Sequence, residues 1–574
     1  MSQANSDVVI DRGKSSWSDL WTKEDYWAIW IGVFILAVTL GSIWSNKSGL
    51  ETKYNEYAAI IKAEKEKPIK TIEFFEATAK QKGLKGSSLD TVKSFIDTMK
   101  TPARWSDNPM DALILSKAAA DKANEAVKPK VDAAAAAEKD ALAAARVAQD
   151  AAAAASYADA ALNAEAEKAI GEWQKAKKAT ADAKKKIKKP FNRIPGLIIL
   201  GLVLGGLVTL GAAVMGYNPL KFFLGFLGVY VLCVLANIFG NQLTGRKYGL
   251  NAEVWSIILG LLIANTIRTP KWLEYSAQTE YYIKTGLVLL GAEVLFHKIM
   301  AIGIPGIFVA WVVTPIVLVV TYLYGQHILK IPSKTLNITV SADMSVCGTS
   351  AAIATAAACR AKKEELTLSI GLSMVFTAIM MIAMPAMIKA LGLPGVLGGA
   401  WIGGTVDSTG AVAAAGAFLG NTAMQVAATV KMIQNVLIGV TAFFVALYWT
   451  TKVDVAEGEK VGLMEIWHRF PKFVIGFLGV SVFFSLLASN LGSFGAVIVD
   501  NGVLGVSKAG RGWFFALAFT SIGLTTDFRA LAKYFKGGKP LFLYVAGQSF
   551  NIALTLLMAW IMFYKVFPEI TAKI

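Results

Sequence analysis

The sequence predicts an all-α polytopic membrane protein carrying an Ala-rich helical insertion, and three observations point that way. The chain has 574 residues, 55% of them hydrophobic, with a mean hydropathy of +0.50. Charged residues make up 17%, and they crowd into roughly the first 190 positions and into short loops afterwards. Beyond that point, apolar segments long enough to cross a bilayer recur to the end of the chain.

The net charge of +16 is what basic cytoplasmic membrane loops would give. It does not read as a nucleic-acid footprint, because no basic patch interleaved with aromatics is present. Cys233, Cys347 and Cys359 lie in apolar segments and form neither a disulfide framework nor a CxxC metal pair. His297, His327 and His468 are scattered. No metal site and no catalytic constellation is expected, so the chain reads as something other than an enzyme. The first 25 residues are polar and lack the apolar core of a signal peptide.

Four regions follow along the chain: a polar lead 1–25, a first transmembrane helix 26–46, a soluble helical insertion 47–190 and a transmembrane domain 191–574. Trp17, Leu20 and Trp21 could share one face of an interfacial helix. Tyr26–Trp44 is apolar enough to span and is flanked by aromatics. Within the insertion, 50–67 and 72–99 read as amphipathic helices parted by Pro68. From Val131 to Lys189 there is one glycine, Gly171, and no proline, which predicts helix folded back as a hairpin. The insertion is expected to be structural, or to contact another protomer or a separate protein.

After it come apolar segments at 195–216, 219–240, 250–267, 281–301, 303–326, 338–359, 366–391, 397–420, 429–450, 470–490, 511–530 and 540–564. The basic run Lys184–Arg193 places the end of the insertion in the cytoplasm by charge bias, but long insertions escape that rule, so sidedness stays open.

Segments 338–359 and 397–420 are unusual. The first carries Ser345-Val346-Cys347-Gly348-Thr349-Ser350 and the second Gly404-Thr405-Val406-Asp407-Ser408-Thr409-Gly410, each small and polar, then an Ala-rich helix. Broken backbone at membrane depth is tolerated only where protein buries it or a cavity receives it. A helix restarting there aims free N–H groups and a positive dipole end into that cavity, which suits an anion. The competing reading is a small-residue packing face.

Ser345, Cys347, Gly348, Thr349, Ser350, Ser408, Thr409 and Gly410 are therefore the candidate substrate contacts, with Thr525 and Thr526 from a late glycine-led element. Intramembrane acids default to function. Asp343, Asp407, Glu293 and Asp527 are the candidate coupling-ion residues, although Asp407 would also serve as a helix cap. A carboxylate beside an anion site repels the anion unless it is protonated or bound to Na⁺, which is a basis for coupling.

An internal match supports inverted repeats. Gly291-Ala292-Glu293-Val294-Leu295-Phe296-His297 aligns with Gly523-Leu524-Thr525-Thr526-Asp527-Phe528-Arg529, and a proline corner follows each, at Pro305 and Pro540. If both unusual segments span, or both re-enter, the two copies have opposite orientations.

The stretch Val346–Ala354 resembles the "ICG-S/A-SA" signature of the YeiH-type putative sulfate exporter family. Gly403–Gly416 sits where that family carries a second motif, and Gly523-Leu524-Thr525-Thr526 resembles its late "LGLTT" motif. The likeness covers roughly 195–215 and 245–565 and omits the insertion, the first span and the 219–240 span. It implies inverted repeats with crossing discontinuous helices, and a homodimer. Where the family shows His, an acid and Gln in its second motif, this chain has Asp407, Ser408 and Ala411; where it often has Arg, this chain has Glu293. The site is thus more acidic than the pattern.

The expectation is a multi-pass secondary transporter of the plasma (inner) membrane. It would carry a small anion of the sulfate, sulfite or organic sulfonate class, coupled to H⁺ or Na⁺, with no cofactor beyond that ion. A cation/proton antiporter using Asp343 and Asp407 is one alternative, and a membrane-anchored assembly protein working through its Ala-rich helices is another.

Overall fold

A computed structural model describes residues 16–247, 250–294, 296–453, 467, 470–529, 538–572 and 574. His468 lies outside the described residues, as does the side chain of His297. Among the described residues the fold is all-α with a single two-stranded ribbon, and eight helices are long and apolar enough to cross a membrane. The chain divides into two compact units, one of residues 1–35, 201–485 and 507–574, the other of residues 36–200 and 486–506.

The second unit contains the Ala-rich helices. Lys128–Ala154 and Ala160–Lys184 run antiparallel, turning at Ser156 and Tyr157, both at positive φ. Ala145, Ile170 and Trp173 are buried between them together with Ile72. Gln149 ties this hairpin to the neighbouring Ile72–Gly83 helix: it accepts from the Ile72 amide at 2.7 Å and donates to Glu73 at 2.7 Å. Lys47–Lys65 stops just before Pro68. At that corner burial raises the pKa of Glu64, but hydrogen bonds from Lys67 and Thr71 outweigh it and hold the carboxyl below its ordinary value. The 72–99 stretch is two helices rather than one, because Gly83 ends the first and the chain restarts at Asp90. Ile114–Leu115 pairs antiparallel with Phe191–Asn192.

In the first unit the described part of the lead holds a four-residue helix, Asp19–Thr22, with Trp17 and Trp21 exposed, and the first two residues of Glu24–Trp44. Trp21 stacks on Trp30 with ring centroids 5.7 Å apart, and Trp27 Nε1 donates to the Trp21 carbonyl at 2.7 Å.

The border expected at 301–303 moves. Thr279–Glu293 ends before residue 295, and helix then continues from Phe296 through a π-helical turn, Phe308–Val312, to His327. Pro305 lies inside that helix and makes no corner, and the π turn follows it directly. Pro540 does stand at a helix start, that of Lys539–Trp560.

Both unusual segments are broken, and both fold back. In the first, Lys334–Ser345 ends, Val346-Cys347-Gly348 turn, and Thr349–Ala358 returns. Cys359 Sγ lies 4.0 Å from the Thr335 carbonyl and 3.8 Å from Thr339 Oγ1, so the last residue of the segment is beside its first. A straight 25-residue helix would hold such positions about 35 Å apart. In the second, Gly395–Thr405 ends, Val406-Asp407-Ser408 turn, and Thr409–Leu419 returns. A Cβ on Gly398 would lie 3.1 Å from Leu419 Cδ1. These are two re-entrant hairpins, not the crossing discontinuous spans that the resemblance implied.

The helix between the hairpins, Lys363–Ala390, is 28 residues long and is one of those long and apolar enough to span. The first hairpin is joined to its start: Ser333 and Thr335 hydroxyls donate to Glu365 at 2.5 and 2.7 Å. The second is joined to its end, where a Cβ on Gly398 would press on Ile388. The hairpins therefore enter from opposite ends of this central helix, and their tips meet beside its middle.

Candidate functional site

The tips touch at Gly348. Its φ of +66° lies in the left-handed region, which glycine occupies without strain. A Cβ there would lie 3.0 Å from Ser373 Oγ on the central helix and 3.3 Å from Asp407 Cβ in the other tip. Neither returning limb has a side-chain cap, at Gly348 or at Ser408. Asp407 does not cap its helix; its Oδ2 accepts from the Tyr544 hydroxyl of the Lys539–Trp560 helix. Asp343 is fully buried, and its Oδ2 accepts from Ser369 Oγ at 2.6 Å.

Each incoming limb ends with carbonyls that no intrahelical donor reaches. Side chains from two neighbouring helices supply the donors. On Asn421–Asn435, Gln434 Nε2 donates to the Ser345 carbonyl at 3.0 Å and the Gly404 carbonyl at 3.3 Å, one in each hairpin. Lys431 Nζ donates to the Val346 carbonyl at 2.7 Å and to Gln434 Oε1 at 2.8 Å. On Lys539–Trp560, Gln548 Nε2 reaches the Thr405 carbonyl at 2.9 Å and Asn551 Nδ2 the Met344 carbonyl at 3.3 Å. The carbonyl ends are thus bonded within protein, and the first residues of the returning limbs, Thr349, Ser350 and Thr409, border open space.

That space is a cavity of ≈ 840 Å³, all of whose lining residues belong to the first unit. Cys347, Gly348, Thr349, Ser350, Ser408, Thr409, Thr525 and Thr526 line it, as do Ser373 and Thr377 of the central helix and Asn435. Ser345 and Gly410 do not line it. The Ser345 hydroxyl is turned back onto the Ser341 carbonyl at 2.7 Å, and Gly410 is packed beside Ile522 and Thr279.

The four acids separate. Asp343, near the end of the first incoming limb, and Asp407, in the second tip, do not line the cavity. Glu293 pairs with Arg511, Nε to Oε1 at 2.8 Å and Nη2 to Oε2 at 3.2 Å, away from the cavity. Asp527 pairs with Arg529 at 3.3 Å. A different set of charged residues lines the cavity: Lys284 Nζ meets Asp25 at 2.8 Å and Glu24, with Asp19, Lys23, Glu280 and Lys472 also in the wall.

Lys431, Gln434 and Asn435 were missed in the sequence, although the signal was there. Lys431 is a basic residue inside an apolar segment, and the rule that singled out Asp407 applies to it equally. Tyr544 and Gln548 carried no such signal.

The family described as conserved hypothetical protein 698 matches residues 224–544. The chain belongs to that family. A relative from Nitratidesulfovibrio vulgaris, a UPF0324 membrane protein, is 58% identical over the full length of both chains. One from Rhodopirellula baltica is 54% identical over 66% of this chain and 69% of its own. The UPF0324 inner membrane protein YeiH of Escherichia coli is 26% identical over 51% of this chain and 80% of its own. The family match begins within the 219–240 span, which the motif resemblance had omitted. No solved structure matches.

Proposed function

We propose that this member of the conserved hypothetical protein 698 family is a secondary transporter of a small anion, held at the two hairpin tips and coupled to H⁺ or Na⁺ through Asp407 and Asp343. The observation that carries the reading is the asymmetry of the broken helices. Their carbonyl ends are filled by Lys431, Gln434, Gln548 and Asn551, while Thr349, Ser350, Ser408 and Thr409, at the uncapped amide ends, line the cavity. Uncapped amide ends carry partial positive charge and favour an anion. Lys431, buried beneath the tips, adds positive charge there when protonated.

The acids fit the coupling role because both lie at the hairpin turns, Asp343 near the end of the first incoming limb and Asp407 in the second tip, without lining the cavity. Asp407 is within van der Waals reach of the Gly348 position, so its charge state acts on the site without filling it. A cation/proton antiporter through Asp343 and Asp407 is the second reading, supported by the full burial of both carboxylates. The anion reading is preferred because neither carboxylate reaches the cavity wall. An inner-membrane location accords with the name of the E. coli relative.

The test is flux into vesicles holding the purified protein, with sulfate, sulfite and 2-aminoethanesulfonate compared and Na⁺ and pH varied. Asp407→Asn keeps an acceptor for Tyr544 and removes the charge. It should transport without pH or Na⁺ dependence. Unchanged dependence would show that Asp407 has no part in coupling.

A further inference from the structure

Asn435 gives the cavity a polar atom that a bare anion does not satisfy. Asn435 lines the cavity and is 2% exposed. Its Nδ2 donates to Thr409 Oγ1 at 3.1 Å, at the start of a returning limb. Its Oδ1 is buried and has no hydrogen-bond partner. A buried amide oxygen without a donor is costly, by about 1–3 kcal/mol. A bare oxyanion would not relieve it, since such a ligand offers only acceptors.

The rest of the wall points the same way. Met374, Ala378 and Met381 form an apolar stripe on the central helix, and Ile438 and Ile522 add to it. At ≈ 840 Å³ the cavity falls in the range of pockets that enclose organic ligands, about 300–1,000 Å³. An inorganic oxyanion could use the tips but would leave these walls and Asn435 unused.

We propose that Asn435 is a specificity residue, and that the cargo is a small organic oxyanion bearing a hydroxyl or amino group. The oxyanion sits at the amide ends of the two tips, the short carbon chain lies on the Met374–Met381 stripe, and the donor group reaches Asn435 Oδ1. This rests on the anion reading above and narrows it.

The experiment uses the full-length protein in lipid nanodiscs and measures binding of inorganic sulfate, ethanesulfonate, 2-hydroxyethanesulfonate and 2-aminoethanesulfonate. 2-Hydroxyethanesulfonate should bind about 10-fold tighter than ethanesulfonate, the worth of one neutral hydrogen bond, and 2-aminoethanesulfonate, which donates from a charged ammonium, at least as much tighter. In Asn435→Leu that ratio should fall to about one. Asn435→Ser, a milder change, should give an intermediate ratio. Equal binding of the three sulfonates to the wild type overturns the proposal and leaves the anion site standing, and so does a ratio unchanged in both variants. Tight binding of sulfate alone does the same. Binding of none of the four overturns the anion site and this inference with it.

Discussion

Gly348 joins the two halves of the site through a single absent carbon. Its positive φ and the 3.0 and 3.3 Å distances from its Cβ position to Ser373 Oγ and Asp407 Cβ act together. Gly348→Ala meets both a strained conformation and a tight contact with a buried tip, with a penalty of about 1–3 kcal/mol. The variant is expected to reach the membrane with a lowered melting temperature and to lose most of its flux, measurable by thermal unfolding beside vesicle uptake. A wild-type rate would mean that the tips are not packed as described. Sequence reading singled out Gly348 and Asp407, because small and polar residues interrupting an apolar run are visible one position at a time. It did not find Tyr544 or Gln548, which are joined to the second tip only by the fold: one side chain is bonded to Asp407, the other to the Thr405 carbonyl, across about 140 residues of chain.

At the scale of elements, a hairpin tip inside a bilayer is viable only if its orphaned carbonyls find donors. The Asn421–Asn435 helix meets that need for both hairpins with a single amide, Gln434. Removing it exposes two carbonyls at once and frees Lys431 from its Oε1 partner. Gln434→Leu should therefore destabilise the protein by about 2–4 kcal/mol, somewhat more than one lost bond. It should also weaken anion binding, because the two amide ends would no longer be held at a fixed spacing. Calorimetric unfolding and binding measured on the same sample check this, and a variant of unchanged stability would argue against the shared clamp. The helical hairpin of the insertion shows the opposite case. Its stability comes from local propensity and a buried seam around Trp173, and composition alone foretold it.

At the scale of the molecule, every residue lining the cavity falls in the first compact unit. A variant lacking residues 50–190 should keep its affinity for the anion, measured on the folded fraction after size-exclusion chromatography. Loss of binding in well-folded protein would place the working part in the Ala-rich helices and revive the assembly reading.

The sequence by itself determined the class of the protein and the position of both breaks. Hydropathy over about 20 residues and a run of small polar residues are local properties, and they survive without knowledge of any partner. Whether a broken segment crosses or turns back was not local. The short run Val346–Gly348 permits either course, and only the packing of Cys359 against Thr335, and of Gly398 against Leu419, decided for re-entry. The same holds for charge. Glu293 and Asp407 look alike as acids in apolar chain, yet one is bound to Arg511 and the other sits in the second tip against the Tyr544 hydroxyl, because an acidic group takes its role from whatever the fold places beside it.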